Sequence, residues 1–169
     1  AMTSLDLGDK FNTSNVTDMA NMFNNTGHTV MTSLNLGSGF NTSKVTNMGS
    51  MFYCVGFGKL QNLDLGSDFD TSNVTNMRQM FAGVGQVSPI TTLNLGNKFN
   101  TSKVTDMAYM FQNTGALAMT SLKLGDKFYT TNVEDMTNMF YQTGKTSMTA
   151  IDLGPAFTRI ASTNTDMFT

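Results

Sequence analysis

The residues best suited to chemistry in this 169-residue chain are carboxylates, amides and hydroxyls that recur at a fixed interval. One column reads Asp6, Asn35, Asp64, Asn94, Lys123 and Asp152, and just beyond it lie Asp9, Asp68, Asp70 and Asp126. Oxygen ligands of this kind suit Ca²⁺. No copy carries a dense Asp-x-Asp-x-Asp loop, however, so no metal or other cofactor is expected. The column reads instead as a polar face open to solvent or to a ligand. Nucleophilic chemistry lacks its partners. The one His, His28, falls in a loop and reads as a solvated side chain. The one Cys, Cys54, has no cation nearer in sequence than Lys59, so an inert, semi-buried thiol is expected. No Gly element has phosphate-loop spacing. No catalytic residue is assigned, and the chain is expected not to be an enzyme.

Composition narrows the classes further. Charged residues make up 13% of the chain, roughly half the usual ~25%. Asn and Thr fill the gap. The net charge of -2 lacks the Lys/Arg excess that phosphate backbones attract, so no nucleic-acid partner is expected. No apolar run is long enough to span a membrane as a helix. No basic-then-apolar leader opens the chain, so any export signal is expected to have been removed or to lie outside it. A single cysteine excludes an internal disulfide framework.

The 15 Met and 13 Phe have one cause, a repeat. Equivalent copies start near Met2, Met31, Leu60, Ile90, Met119 and Met148. Residues 1–169 therefore read as one repeat domain of about six stacked rungs of 29–30 residues, the last degenerate. The extra residue falls near Ser88-Pro89, where a loop can absorb it. Each copy opens with a period-two apolar segment such as Met2-x-x-Leu5-x-Leu7, a short strand. A Gly follows in every copy (Gly8, Gly37, Gly66, Gly96, Gly125, Gly154), which implies positive φ or a close backbone approach. Three residues later comes a Phe column from Phe11 to Phe157, read as core. Asn12-Thr13-Ser14-Asn15 is turn and cap chemistry, and Thr131-x-x-Glu134 has capping-box spacing.

Val16, Met19, Met22 and Phe23 then recur at helical spacing, and Gly27 with its equivalents stands where a left-handed helix terminator belongs. The expected fold is an α/β solenoid with one short parallel strand and one short helix per rung. It should wind right-handed, by the usual crossover preference. The Met columns read as core filler rather than a copper site or peptide groove. In the second rung Leu36, Phe40, Val45, Met48, Met51 and Phe52 should be buried.

Met31-x-x-Leu34-x-Leu36-x-x-x-Phe40 resembles the leucine-rich-repeat consensus, with Gly39 where an Asn is usual. The Asn-Thr-Ser-x-Val-Thr-x-Met-x-x-Met-Phe block that follows is similar to BspA-type bacterial surface repeats and to the related repeats of unknown function in mycoplasma lipoproteins. The likeness covers essentially the whole chain. It implies an extracellular or cell-surface location and a non-enzymatic binding or adhesion module. The ligand would be a host protein or glycan, held on a leucine-rich-repeat coil.

The candidate ligand-binding residues are Asp6, Asn35, Asp64, Asn94 and Lys123 on the strand face, with Tyr109 among tyrosines set off that face. The competing expectation is a structural spacer with no ligand. Several Asn-x-Ser/Thr triplets recur as cap and turn residues, and a bacterial source fits them better than glycosylation. At the ends, Pro155, Arg159 and Ile160 break the repeat and read as a C-terminal cap. The first strand enters in full register with no cap. This leads us to expect a fragment of a longer array whose N-terminal rung is either frayed or covered edge-to-edge by another copy.

Overall fold

The computed structural model describes residues 2–168. Six three-residue strands mark the rungs: β1 Ser4–Asp6, β2 Ser33–Asn35, β3 Asn62–Asp64, β4 Thr92–Asn94, β5 Ser121–Lys123 and β6 Ala150–Asp152. In each, the central Leu or Ile turns inward and its neighbours face out. The Gly that follows two residues later has positive φ in all six rungs, between 68° and 84°, which ends the extended segment. The strands run parallel in copy register, Leu5 against Leu34, Leu63 against Leu93 and Leu122 against Ile151. They form three two-stranded sheets.

Among the described residues there is no helix. The expected α/β solenoid, a leucine-rich-repeat-like coil with a helix in each rung, is therefore not the fold. The third rung shows why. An α-helix requires each N–H to reach the carbonyl four residues back. Here Met77, Gln79, Phe81 and Gly83 donate instead to the carbonyls of Asp106, Ala108, Met110 and Gln112 in the next rung, at 2.7–3.0 Å. The amides between them, Met80, Ala82 and Val84, close tight turns onto carbonyls three residues back, each at 3.1 Å. Left-handed residues make this alternation geometrically feasible. Gln79, Gly83 and Gly85 all have positive φ, as do Asn21, Asn25 and Gly27 in the first rung. A chain of four-residue turns buries side chains at nearly the spacing of a helix, so the apolar pattern alone does not separate the two.

The Asn-based turn bonds survive without a helix, but the Thr131–Glu134 capping box does not form, because the Glu134 amide donates to the Thr105 carbonyl at 2.8 Å. Asn12 Oδ1 accepts from the Ser14 N–H at 2.9 Å, and Asn41, Asp70 and Asn100 do the same for their own serines. Between Asn and Ser sits a buried Thr that ties rungs together. The Thr42 hydroxyl donates to the Asp70 carbonyl and accepts from the Asp70 N–H, both at 2.8 Å. Thr13 and Thr71 repeat this double bond on Asn41 and Asn100. The inserted residue is absorbed near Ser88, whose hydroxyl takes the Ile90 N–H at 3.3 Å.

The core is one hydrophobic cluster, and it contains Leu36, Phe40, Val45, Met48, Met51 and Phe52. Two phenylalanine ladders run through it. Phe23, Phe52, Phe81, Phe111, Phe140 and Phe168 stack with centroids 5.2–5.6 Å apart. The Gly-x-x-Phe column forms the second ladder, with Phe11 stacked on Phe40 and Phe40 on Phe69. The terminal rungs are less covered: Phe11 is 41% exposed and Phe168 54%. Leu5 and Leu7 of the first strand are only partly buried, and Ile160 on the last rung is exposed.

Phe69, 2% exposed, and Phe11 occupy the same column at different depths. Phe69→Ala should cost about 3–5 kcal/mol of stability, and Phe11→Ala much less. Urea denaturation of both variants checks the difference.

Candidate functional site

The predicted strand-side column exists as a face, and every member is exposed. Most of its chemistry is turned inward on the backbone. Asp6, Asn35, Asp64, Asn94 and Asp152 each use Oδ1 to accept the N–H of the positive-φ Gly two residues on, at 2.8–3.1 Å. These are Asx turns, which hold the chain in the sharp bend after the strand. Lys123 has no such bond to Gly125, which leaves it the freest member of the column. Asn94 also reaches back to Asp64, its Nδ2 donating to Oδ1 at 3.0 Å.

The rungs along this face are not evenly joined. β1 bonds β2, β3 bonds β4 and β5 bonds β6, but no backbone hydrogen bond joins β2 to β3 or β4 to β5. In the closed pairs the Leu7, Leu65 and Leu124 amides donate to Asn35, Asn94 and Asp152 at 3.0–3.1 Å. The glycines show the same alternation. A Cβ on Gly37, Gly96 or Gly154 would strike the carbonyl oxygen of Gly8, Gly66 or Gly125, whereas one on Gly8, Gly66 or Gly125 would meet nothing within 4 Å. At the unjoined steps the face opens into clefts. One of about 420 Å³ lies between β2 and β3, lined by Asp9, Asn35, Ser38 and Asp64 over Leu34, Leu36 and Leu65. Another, of about 270 Å³, lies between β4 and β5, where Asn94, Ser121 and Lys123 surround Leu93 and Leu95. The structure thus groups four predicted site residues in pairs across clefts, Asn35 with Asp64 and Asn94 with Lys123. Asp6 lies at the closed step. Nothing in the repeat columns signals the alternation.

Tyr109 is held elsewhere, on the turn segment. The Arg78 guanidinium lies over its ring, 4.9 Å from the centroid, and approaches Asp106 at 3.5 Å and Asp135 at 3.6 Å. Those aspartates belong to a second Asx column, Asp18, Asn47, Asn76, Asp106 and Asp135, linked rung to rung by parallel bridges. Arg78 stands where other rungs carry Ala20, Gly49, Ala108 and Thr137, and it compensates for two carboxylates stacked on successive rungs. Of the four tyrosines, all set off the strand face, only Tyr129 is exposed; Tyr53, Tyr109 and Tyr141 are half-buried.

The remaining candidates are scattered. Asp68 pairs with Lys98 at 2.7 Å, and this partner holds its carboxyl below the usual range. Asp9 accepts from the Ser38 hydroxyl at 2.9 Å and Asp70 from the Ser72 amide. Among the described residues no three His, Cys, Asp or Glu side chains converge as a metal site would require. His28 is exposed and stacks on Phe57, its counterpart in the next rung, at 4.5 Å. Cys54 is half-buried at a positive-φ position, and burial pushes its thiol pKa up.

The family model described as "Mycoplasma protein of unknown function, DUF285" matches the chain twice, over residues 6–87 and 57–155. The chain belongs to this family. No curated protein and no solved structure matches it. The two overlapping matches together run from the first strand to the last, each spanning several rungs.

Gly37 and Gly66 both have positive φ, but only Gly37 abuts backbone. Alanine at either site carries the left-handed strain of about 1–2 kcal/mol, and Gly37→Ala should lose more, a ranking that thermal melts will check. Cys54, with its raised pKa, carries less thiolate at neutral pH than an ordinary cysteine. Alkylation of the folded protein by iodoacetamide should be slower than that of glutathione, and should speed up on unfolding.

Proposed function

We propose that this chain is a non-enzymatic recognition module displayed on a bacterial cell surface, where it adheres to a host protein or glycan. The observation that carries this reading is the pair of polar-rimmed clefts on the strand face, each flanked by exposed side chains from two or three rungs. A stiff coil that holds such openings at fixed spacing loses little entropy on binding. Surface display and adhesion draw support from the likeness of the repeat to BspA-type surface repeats. A second reading, a spacer with no ligand, is favoured by a different observation: the Asx columns and the buried threonines use their polar groups inside the stack.

Arrays of host proteins and of glycans, probed with the purified chain, separate the two. The expected outcome is saturable binding to at least one ligand, weakened in Lys123→Ala, which removes a rim charge without breaking an Asx turn. Hydrolase and transferase screens should show no turnover. A well-folded chain that binds nothing supports the spacer, and turnover abolished by one point mutation would overturn both readings.

A further inference from the structure

We infer that the two strand-side clefts are paired subsites for a single extended, neutral glycan that runs along the stack and crosses the strands. This rests on the recognition reading and names its ligand class. The edges of the clefts provide the first argument. The Leu36 and Leu95 amides, and the Asp64 and Lys123 carbonyls opposite them, make none of the bonds their counterparts make in the closed pairs. Each cleft therefore presents a donor edge facing an acceptor edge. A sugar hydroxyl both donates and accepts, so one group can serve both edges. A hydroxyl seated there would pair both unmade backbone groups at once.

The lining provides the second argument. Amide, hydroxyl and carboxylate groups sit above leucine floors. Pyranose rings have the matching character, with polar rims and apolar faces. The rims carry Asp64 at one cleft and Lys123 at the other, so neither a polyanion nor a polycation is matched along the whole face.

Direction and spacing provide the third. The clefts lie two rungs apart, roughly 10 Å at about 4.8 Å per rung. The line joining them runs at right angles to the strands. An extended peptide on that line would cross the strands and forfeit the backbone ladder by which sheet edges bind peptides. A glycan needs only to present hydroxyls at the cleft spacing, which is close to two rings of an extended β-1,4-linked chain.

Calorimetry with chitohexaose and cellohexaose, and with the matching disaccharides, tests the inference on the full chain. Ser38→Trp fills the first opening and Ser121→Trp the second, both at exposed positions, with Lys145→Trp as a control outside them. At least one hexasaccharide should bind saturably. Each cleft variant, and shortening to the disaccharide, should weaken binding at least about tenfold, the scale of one or two lost hydrogen bonds. In the unsubstituted protein the Leu36 and Leu95 amide resonances should shift on titration, a readout that holds even if a tryptophan variant fails to fold. Hexasaccharide binding that leaves these amides unshifted and is unchanged in folded cleft variants would overturn the inference while leaving the recognition reading intact. Capture of a protein but of neither hexasaccharide would do the same. Binding of nothing on either array would remove both.

Discussion

The structure depends on where the backbone amides of the turn segment point. In each of the first five rungs every second N–H leaves its own segment and bonds the next rung, while the intervening ones close turns of four residues. Once that alternation is set, a helix is excluded, because its hydrogen bonds would need the same donors. The left-handed residues, the exact overlay of side chains and the two phenylalanine ladders all follow from it. Left-handed backbone costs about 1–2 kcal/mol at a non-Gly residue, and the chain accepts it at Ser50, Cys54, Gln79 and Tyr109. The inter-rung bonds and the aromatic stacking offset that strain collectively. The buried threonines serve the same end, since each hydroxyl bonds both the amide and the carbonyl of one residue in the next rung.

Stacking one sequence on itself has an electrostatic consequence that explains the composition. Any charged column places like charges about 4.8 Å apart. Asn in place of Asp converts repulsion into a ladder of amide hydrogen bonds, as between Asp18, Asn47 and Asn76. Where the column carries Asp106 and Asp135 in succession, Arg78 lies against both. The low charge content is thus a condition of the fold.

Much of this was legible in the sequence. The period, the buried column members and the positive φ of the glycines after each strand could be read from recurrence alone. The helix could not, because turns of four residues bury Met77, Met80, Phe81 and Val84 at helix-like intervals. The contrary signal was present in Asn21, Asn25 and Gly27, three residues that favour left-handed backbone within seven positions. At the site, the exposed column was readable but its internal Asx bonds were not separated from ligand chemistry. Tyr109 is legible as lying off that face, but its partner Arg78 comes from the preceding rung and carries no signal in the repeat. The clefts had no sequence signature, because Leu36 and Leu65 occupy the same column and differ only in whether the next strand is bonded.

The pairwise joining of strands gives the array a parity. Along the strand face the indivisible unit is a doublet of rungs, even though the sequence repeats rung by rung. Insertion of one copy would exchange open and closed steps for every rung beyond it, moving each cleft onto different side chains. Insertion of two copies would leave the phase unchanged and lengthen the face by one more opening. Growth by pairs is then the conservative route for such a chain, and growth by single copies reassigns its surface at a stroke.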